Sequence, residues 1–404
     1  MTGFDRGEKE MKSSECCLRS NGDGKNFEVV ISLDHGDPKV FIDYWKGRDE
    51  ECSITISGSH LISYFSPAIT NCWFAEPEFV KVVARLHDLV GNAVVNDRHI
   101  IVGTGSSQLF QAALYALSSS SRDHEQPPMN VVAAAPYYSS YPAITDFLQS
   151  RLYKWAGDAN TFTNTDAPYI EVVCTPCNPD GARHEPVVKR SNEKLIHDLA
   201  YNWPQYAPIT EAADHDLMLF SMSKCTGHAG SRIGWALVKD EEVAKKMINF
   251  IELNTIGTSK EAQLRTAKIL NAICDEYGND NQPHQHNMQP PLSSQPSERF
   301  FEHAHRVMAE RWQRLRQAVE GRKAFILHQY PKGFCQFRGK ETEAHPAFAW
   351  MECKKGEDGA GLMRRHNVLA RGGDRFGVDK RYVRVSMVDT DESFEHFIRR
   401  LSSM

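Results

Sequence analysis

The chain has 404 residues, too many for one simple core and enough for two lobes. Its 47 lysines and arginines against 52 aspartates and glutamates leave a formal charge of -5, which gives no argument for nucleic acid and makes small-molecule chemistry the default. The ten cysteines lack the dense spacing of a disulfide framework and no apolar run is long enough to span a bilayer, so a cytoplasmic protein in a reducing compartment is expected.

Residues 1–27 are polar and charged and read as a disordered leader without a secretory signal. Apolar runs then alternate with helical patterns: "HIIVG" at 99–103, "MNVVAAA" at 129–135, "YIEVVC" at 169–174 and "LMLFSM" at 217–222. Runs of this kind suit strands covered on both faces, which predicts an α/β fold with a mostly parallel central sheet. After "HIIVG", Leu109, Ala112, Ala113, Ala116 and Leu117 recur at helical spacing, giving strand, glycine-rich turn and helix. Beyond residue 256 longer helices follow, one with Ala304, Met308, Trp312, Leu315 and Val319 on one face. Strands at 347–353 and 382–388 complete a smaller C-terminal α/β lobe. Between them, "GNDNQPHQHNMQPPLSSQPSE" at 278–298 reads as an exposed polar insertion. Its His284 and His286, and His303 and His305 beyond it, are explained by solvation, and no metal is expected. His228 in "TGHAG" reads equally as structural or catalytic.

Four motifs carry chemistry. In "GTGSSQ", Gly103 to Gln108, backbone N–H groups and hydroxyls at a strand-to-helix turn suit a phosphate, although a glycine turn capping the helix with serines explains it equally. Gln108 stands where the dinucleotide fingerprint needs glycine, and the P-loop lysine is missing. "TPCNPDG" at 175–181 leaves Asn178 at a strand end, taken alone an ordinary turn residue; Cys174 and Cys177 lack the second pair that zinc would need. "LIHDLAY" brings Asp198 and Tyr201, and "LMLFSMSK" brings Ser221, Ser223 and Lys224, to successive strand ends that converge on one crevice.

A lysine at a partly dry crevice has a lowered pKa, which frees its amine to condense with an aldehyde. Pyridoxal phosphate is the aldehyde that unites the four motifs: phosphate on Gly105, Ser106, Ser107, Ser221 and Arg232, ring nitrogen on Asp198, phenolic oxygen on Asn178 and Tyr201.

These residues, with "LDHGDP" (33–38), "SYFS" (63–66), "APYYSSY" (135–141), "HDLAYNWP" (197–204), "SKCTGHAGSRIGWALVKD" (223–240) and "YVRVSM", resemble fold-type I pyridoxal-phosphate enzymes, and within them the plant alliinase and tryptophan aminotransferase group. The resemblance runs from about residue 28 to the C-terminus. It implies a large cofactor-binding domain over 73–255 and a small domain over 256–404. The segment 28–72 would serve the small domain and the dimer interface. It further implies that Lys224 holds the cofactor and moves the substrate's α-proton, and that Asp198 keeps the ring nitrogen protonated. Tyr138 would stack on the ring, with neighbouring Tyr137 a rival, and Tyr64 would reach the phosphate of the other subunit of a homodimer. Arg384 would grip the substrate carboxylate, with Gly36 allowing close approach. Cys177 and Cys225 depart from the group's pattern, where an asparagine and an aliphatic residue are expected.

The function implied is transfer of the amino group of L-tryptophan to pyruvate, yielding indole-3-pyruvate and L-alanine, the first step of auxin synthesis. An alliinase-like C–S lyase and a broader aromatic aminotransferase are the alternatives. The lyases of this group carry a signal peptide and a cysteine-rich N-terminal module, neither of which is read in this sequence, and that favours transamination. A regulator without activity would have lost Lys224, Asp198, Arg232 or Arg384, all of which are present.

Overall fold

An apolar strand with no polar face must be covered on both sides, and the largest sheet meets this demand inside layers of helices. The structure, a computed structural model, describes residues 17–18, 29–67, 71–118, 127–163, 167–190, 193–278, 298–321 and 324–404. The large sheet has seven strands in the order His99–Gly103, Gly234–Val238, Leu217–Ser221, Leu195–Asp198, Tyr169–Cys174, Met129–Ala133 and Tyr153–Asp158. All neighbours are parallel except Gly234–Val238, which runs against both of its partners. Every residue of Tyr169–Cys174, Leu217–Ser221 and Gly234–Val238 is buried, in keeping with their largely apolar character, and the one charged side chain among them, Glu171, accepts the Val187 and Val188 N–H groups. Tyr153–Asp158 and Gly234–Val238 are not among the strands expected from the sequence. The former carries Lys154, Gly157 and Asp158 at the sheet's edge, and the latter is a short run that turns back antiparallel to Leu217–Ser221 after a connection holding only the one-turn helix Met222–Cys225 and the 3-10 turn Ala229–Ser231.

The helix Pro77–Val90 begins with proline in its first turn and ends at Gly91 with φ 69°, the asymmetry that proline's fixed φ and glycine's left-handed freedom favour. Its buried Phe79, Val82, Val83, Leu86 and Val90 follow the helical period and pack against Lys260–Gly278. Gly105–Ser118 packs against Glu241–Thr255.

A second sheet of four antiparallel strands runs Phe325–Leu327, Phe348–Cys353, Tyr382–Ser386, Arg371–Gly372. The helix Phe300–Val319 buries Ala304, Met308, Trp312 and Leu315 completely, and Val319 packs half-buried at its end. Val29–Ser32 pairs in parallel with Val368–Leu369, so the N-terminal segment is stitched to the C-terminal lobe. Cys17–Leu18 pairs with Val29–Val30 inside the stretch expected as a leader, the rest of which lies outside the described residues. The expected insertion, including His284 and His286, also lies outside them over 279–297. Among the described residues no helix is long and apolar enough to cross a membrane.

Candidate active site

The parallel strands end together, so Gly103, Ala133, Cys174, Asp198 and Ser221 share one edge of the large sheet, where ligands of open α/β sheets collect. Between this edge and the small sheet lies a cavity of about 350 Å3. Of the residues singled out in the sequence, Gly36, Ser106, Ser107, Tyr138, Asn178, Asp198, Tyr201, Ser221, Lys224, Arg232 and Arg384 line it.

Lys224 sits on the short helix Met222–Cys225, directly after the strand Leu217–Ser221. Its Nζ donates to the Gly36 carbonyl oxygen at 2.5 Å and lies 5.6 Å from the Tyr201 ring centroid. Burial, then the nearby cation of Arg384, lowers the Lys224 pKa to about 8, against the opposing pull of Asp37 and Asp198. A side chain at Gly36 would place its Cβ 2.7 Å from the Phe348 ring and 3.4 Å from Nζ, so only glycine lets this backbone pass over the lysine.

At the other side, Gly105 has φ 74° and a Cβ there would fall 2.6 Å from Arg232 Nη2. Conformation and contact both demand glycine. Arg232 is itself left-handed, with φ 50°, and donates from Nη1 to the Ala229 carbonyl at 3.0 Å. Ser107 and Arg232 are exposed, while Ser221 is buried. Gln108 explains its own presence: Oε1 accepts the Thr104 N–H at 2.7 Å, and Nε2 donates to Asn254 and Thr255. It caps the turn that a second glycine would otherwise have to relax.

The Asp198 carboxylate accepts the Tyr141 hydroxyl at 2.7 Å and the Ala200 N–H at 3.2 Å. Burial raises its pKa, countered by those two donors and by Lys224. Asn178 Oδ1 accepts from Arg384 Nη1 at 2.8 Å, and Arg384 Nη2 donates to the Asp34 carbonyl at 2.5 Å. Arg384 is 2% exposed, lies 4.0 Å over the Phe348 ring, and its Nε has no hydrogen-bond partner among the described residues.

Tyr138 faces the cavity, whereas Tyr137 packs on Trp155 and against Gly377. Gly105 lies beneath Arg232 and not on the lining. Tyr64 is 61% exposed and borders a separate surface depression with Ile62 and Ile256, away from the crevice of its own chain. Neither departure from the expected pattern faces the cavity. The Cys177 thiol donates to the Pro136 carbonyl at 3.3 Å and Cys225 is fully buried, and burial pushes both thiols well above their ordinary range, where they are unreactive. Cys177 also stands near Asp180 and His184, their ligand atoms all within 4.8 Å, in a turn held by a 3.3 Å His184–Asp180 contact and by Asp180 capping Ala182. His228 is held by the Thr226 hydroxyl at 2.8 Å and stacks edgewise on Trp45, a structural setting.

Sequence reasoning passes over Tyr141, Phe348 and Arg371. Tyr141 ends the quoted "APYYSSY", yet nothing local distinguishes it from its neighbours. Phe348 was within reach, since alternation in Phe348–Cys353 puts it on the same face as Trp350, the register partner of Arg384. Arg371 lies on a two-residue strand too short to leave a periodic signal.

A doubly covered, mostly parallel seven-stranded sheet, with a lysine at its carboxyl edge and a small antiparallel sheet across the crevice, is the fold-type I aminotransferase architecture. N-succinyldiaminopimelate aminotransferase from Mycobacterium tuberculosis superposes with a TM-score of 0.65 at 15% identity, covering 93% of each chain. The chain belongs to the family described as "Allinase", whose profile matches residues 31–404. It is 50% identical over 382 residues to tryptophan aminotransferase-related protein 2 of Oryza sativa subsp. japonica, covering 93% of this chain and 74% of that protein. It is 34% identical over 375 residues to an alliin lyase of Allium cepa, covering 91% and 75%.

Proposed function

We propose that this protein is a pyridoxal-phosphate-dependent aminotransferase that passes the amino group of L-tryptophan to pyruvate, giving indole-3-pyruvate and L-alanine at the start of auxin biosynthesis. The observation that carries the reading is the Lys224 amine, set at a strand end inside the crevice with its pKa lowered to about 8. The higher identity to a tryptophan aminotransferase-related protein than to an alliin lyase supports transamination over C–S cleavage.

The donor set fits this cofactor. Gly105 leaves room for Arg232 where a Cβ would collide, and Ser106, Ser107, Ser221 and Arg232 supply hydroxyls and a cation suited to a phosphate. Asp198, a carboxylate with two neutral donors and a raised pKa, favours a cationic ring nitrogen as its partner. Asn178 and Tyr201 would serve the phenolic oxygen, and Tyr138 the ring face. When bound, pyridoxal phosphate supplies an aldehyde for the lysine and an electron sink conjugated to the substrate's α-carbon.

Arg384, rigid between Asn178, the Asp34 carbonyl and Phe348, holds the substrate carboxylate, and its unpartnered Nε gives one more donor. Lys224, unprotonated above about pH 8, is placed to take the substrate's α-proton as a base and to give a proton back as an acid. Tyr141 and the Ala200 N–H hold Asp198 in line. The exposed Ile62, Tyr64, Phe65, Leu253 and Ile256, several around one depression, support a homodimer in which Tyr64 completes the partner's phosphate cradle.

The test mixes purified protein with pyridoxal phosphate, tryptophan and pyruvate and measures indole-3-pyruvate and alanine, with S-alkyl cysteine sulfoxide in parallel. Equal keto acid and alanine from tryptophan is expected, with Lys224→Ala inactive and without the visible absorbance of a lysine-bound cofactor. Keto acid from the sulfoxide without alanine would replace this reading by the lyase.

A further inference from the structure

The turn after the strand Tyr169–Cys174 carries a thiol, a carboxylate and an imidazole in one short segment: Cys177, Asp180 and His184. Their ligand atoms all lie within 4.8 Å of one another, and among the described residues no other group of three or more histidines, cysteines and acids comes together in this way. Tetrahedral bonds of about 2.0–2.3 Å put neighbouring ligand atoms about 3.3–3.5 Å apart. The His184 Nε2 to Asp180 Oδ2 distance of 3.3 Å already has that spacing, and a small rotation of the Cys177 side chain brings Sγ to join them. None of the three lines the crevice, so the proposed function leaves them without a duty. Cys177 moreover stands where the sequence resemblance leads one to expect asparagine.

The segment is braced to hold this arrangement. The Cys177 N–H donates to the Ala182 carbonyl and the Gly181 N–H to the Cys177 carbonyl, each at 2.8 Å. Gly181 has φ 70°, and a Cβ there would collide with Pro346, so the turn admits only glycine. Tyr330 donates to the Asp180 carbonyl at 2.7 Å, and Arg183 to the Pro208 carbonyl at 2.6 Å. The Asp180 carboxylate is itself aimed: Oδ1 accepts the Ala182 N–H at 3.0 Å, which leaves Oδ2 toward His184.

We propose that Cys177, Asp180 and His184 form a zinc site beside the crevice, with water in the fourth position. Sulfur, nitrogen and oxygen in this mixture favour zinc over magnesium or calcium. Charge agrees, because a thiolate and a carboxylate offset a dication while the imidazole stays neutral. Cys177 and Asp180 are buried, and a filled site without net charge suits such a place. The ion displaces the thiol proton, which passes to solvent as the metal–sulfur bond forms. Asp180 also lines a cavity of about 290 Å3 with His328 and Glu352, which gives the ion a way in. Asn178 follows Cys177 directly and holds Arg384, so the ion steadies the turn that presents Asn178 to the crevice.

The experiment titrates chelator-treated holoenzyme with zinc chloride by calorimetry, under reducing conditions, in the wild type, Cys177→Asn, His184→Gln, His328→Gln and Lys224→Ala. Wild type and His328→Gln bind one zinc per chain, and magnesium and calcium do not compete. Partners behind metal ligands are worth about 10- to 100-fold in affinity, so losing a ligand itself in Cys177→Asn or His184→Gln costs about 100-fold or more. Lys224→Ala retains the affinity, which separates this site from the cofactor and from the proposed function. Cobalt in place of zinc reports the sulfur directly, through a thiolate-to-metal charge-transfer band in the difference spectrum that Cys177→Asn loses. His184 is half-buried, so His184→Gln decides the matter should Cys177→Asn fold poorly. Zinc held equally well by both ligand variants, no binding by the wild type, or cobalt bound without the sulfur band overturns the proposal.

Discussion

The amine of Lys224 donates to the carbonyl oxygen of Gly36 at 2.5 Å, joining residues 188 positions apart. This one contact draws the N-terminal segment, which is hydrogen-bonded to the C-terminal lobe through Val29–Ser32, over the mouth of a crevice built on the large sheet. The nucleophile and the segment above it are thereby joined directly, and Arg384 Nη2 on the Asp34 carbonyl holds the same segment from the C-terminal lobe.

Capture of pyridoxal phosphate should follow the ionisation of Lys224. The amine is flanked by Arg384 and Arg232 and opposed by Asp37 and Asp198, and burial dominates. Its unprotonated fraction rises about tenfold per pH unit below pH 8 and levels above it. Stopped-flow mixing of apoprotein with the cofactor across pH 6.5 to 9.5 should show visible absorbance growing at rates that bend near pH 8. A bend near pH 10.5, the range of a solvated lysine, would contradict the burial argument.

Tyr141 acts through Asp198. Tyr141→Phe removes a hydrogen bond to a carboxylate, worth about 1.5–3 kcal/mol. Cofactor affinity should fall about tenfold or more, while the KM for tryptophan changes little. Asp198→Asn, which removes the negative charge itself, should lower kcat further than Tyr141→Phe does. Spectroscopic titration with pyridoxal phosphate and steady-state kinetics separate the two effects, and equal losses in both variants would show that Tyr141 does more than position Asp198.

Gly105→Ala combines a left-handed backbone with a Cβ that would fall 2.6 Å from Arg232 Nη2. The conformation alone costs about 1–2 kcal/mol, and the guanidinium must move. Weaker cofactor binding, about tenfold by absorbance titration, is expected along with a lower thermal midpoint. Wild-type affinity in this variant would mean that Arg232 does not hold the phosphate.

Acid should weaken the fold before most carboxylates titrate. Burial lowers the pKa of His87 to about 4, of His197 to about 3 beside His215, and of His345 to about 3 beside His305. Unfolded, these rings titrate near 6.5. Their stabilisation is whole above that pH and is lost as pH falls toward 4 and 3, because the unfolded chain then binds more protons. Each fully titrating histidine contributes a slope of about 1.4 kcal/mol per pH unit. Urea midpoints at pH 7 and pH 5 should therefore differ clearly, and equal midpoints would mean that these rings are not held neutral.

Much of this was legible locally. Strands buried on both faces demand largely apolar runs, so "YIEVVC" and "LMLFSM" mark themselves, and Gly105 and Asn178 stand where a turn must follow such a strand. The lysine segment likewise carries its own pattern of strand, small residues and arginine. Gly234–Val238 was harder, because a five-residue run says nothing about the direction in which it will pair.

The sequence by itself determined which side chains stand at strand ends and what chemistry they can perform, since both follow from neighbours a few positions away. Only the tertiary structure decided that Tyr141 rather than a residue beside it meets Asp198, that Tyr138 rather than Tyr137 faces the crevice, and that Arg371 stands next to Arg384. It also decided the acidity of Lys224. Burial and the charges of Arg384 and Arg232 act through space, and those distances exist only after separate strands and the N-terminal segment have packed together.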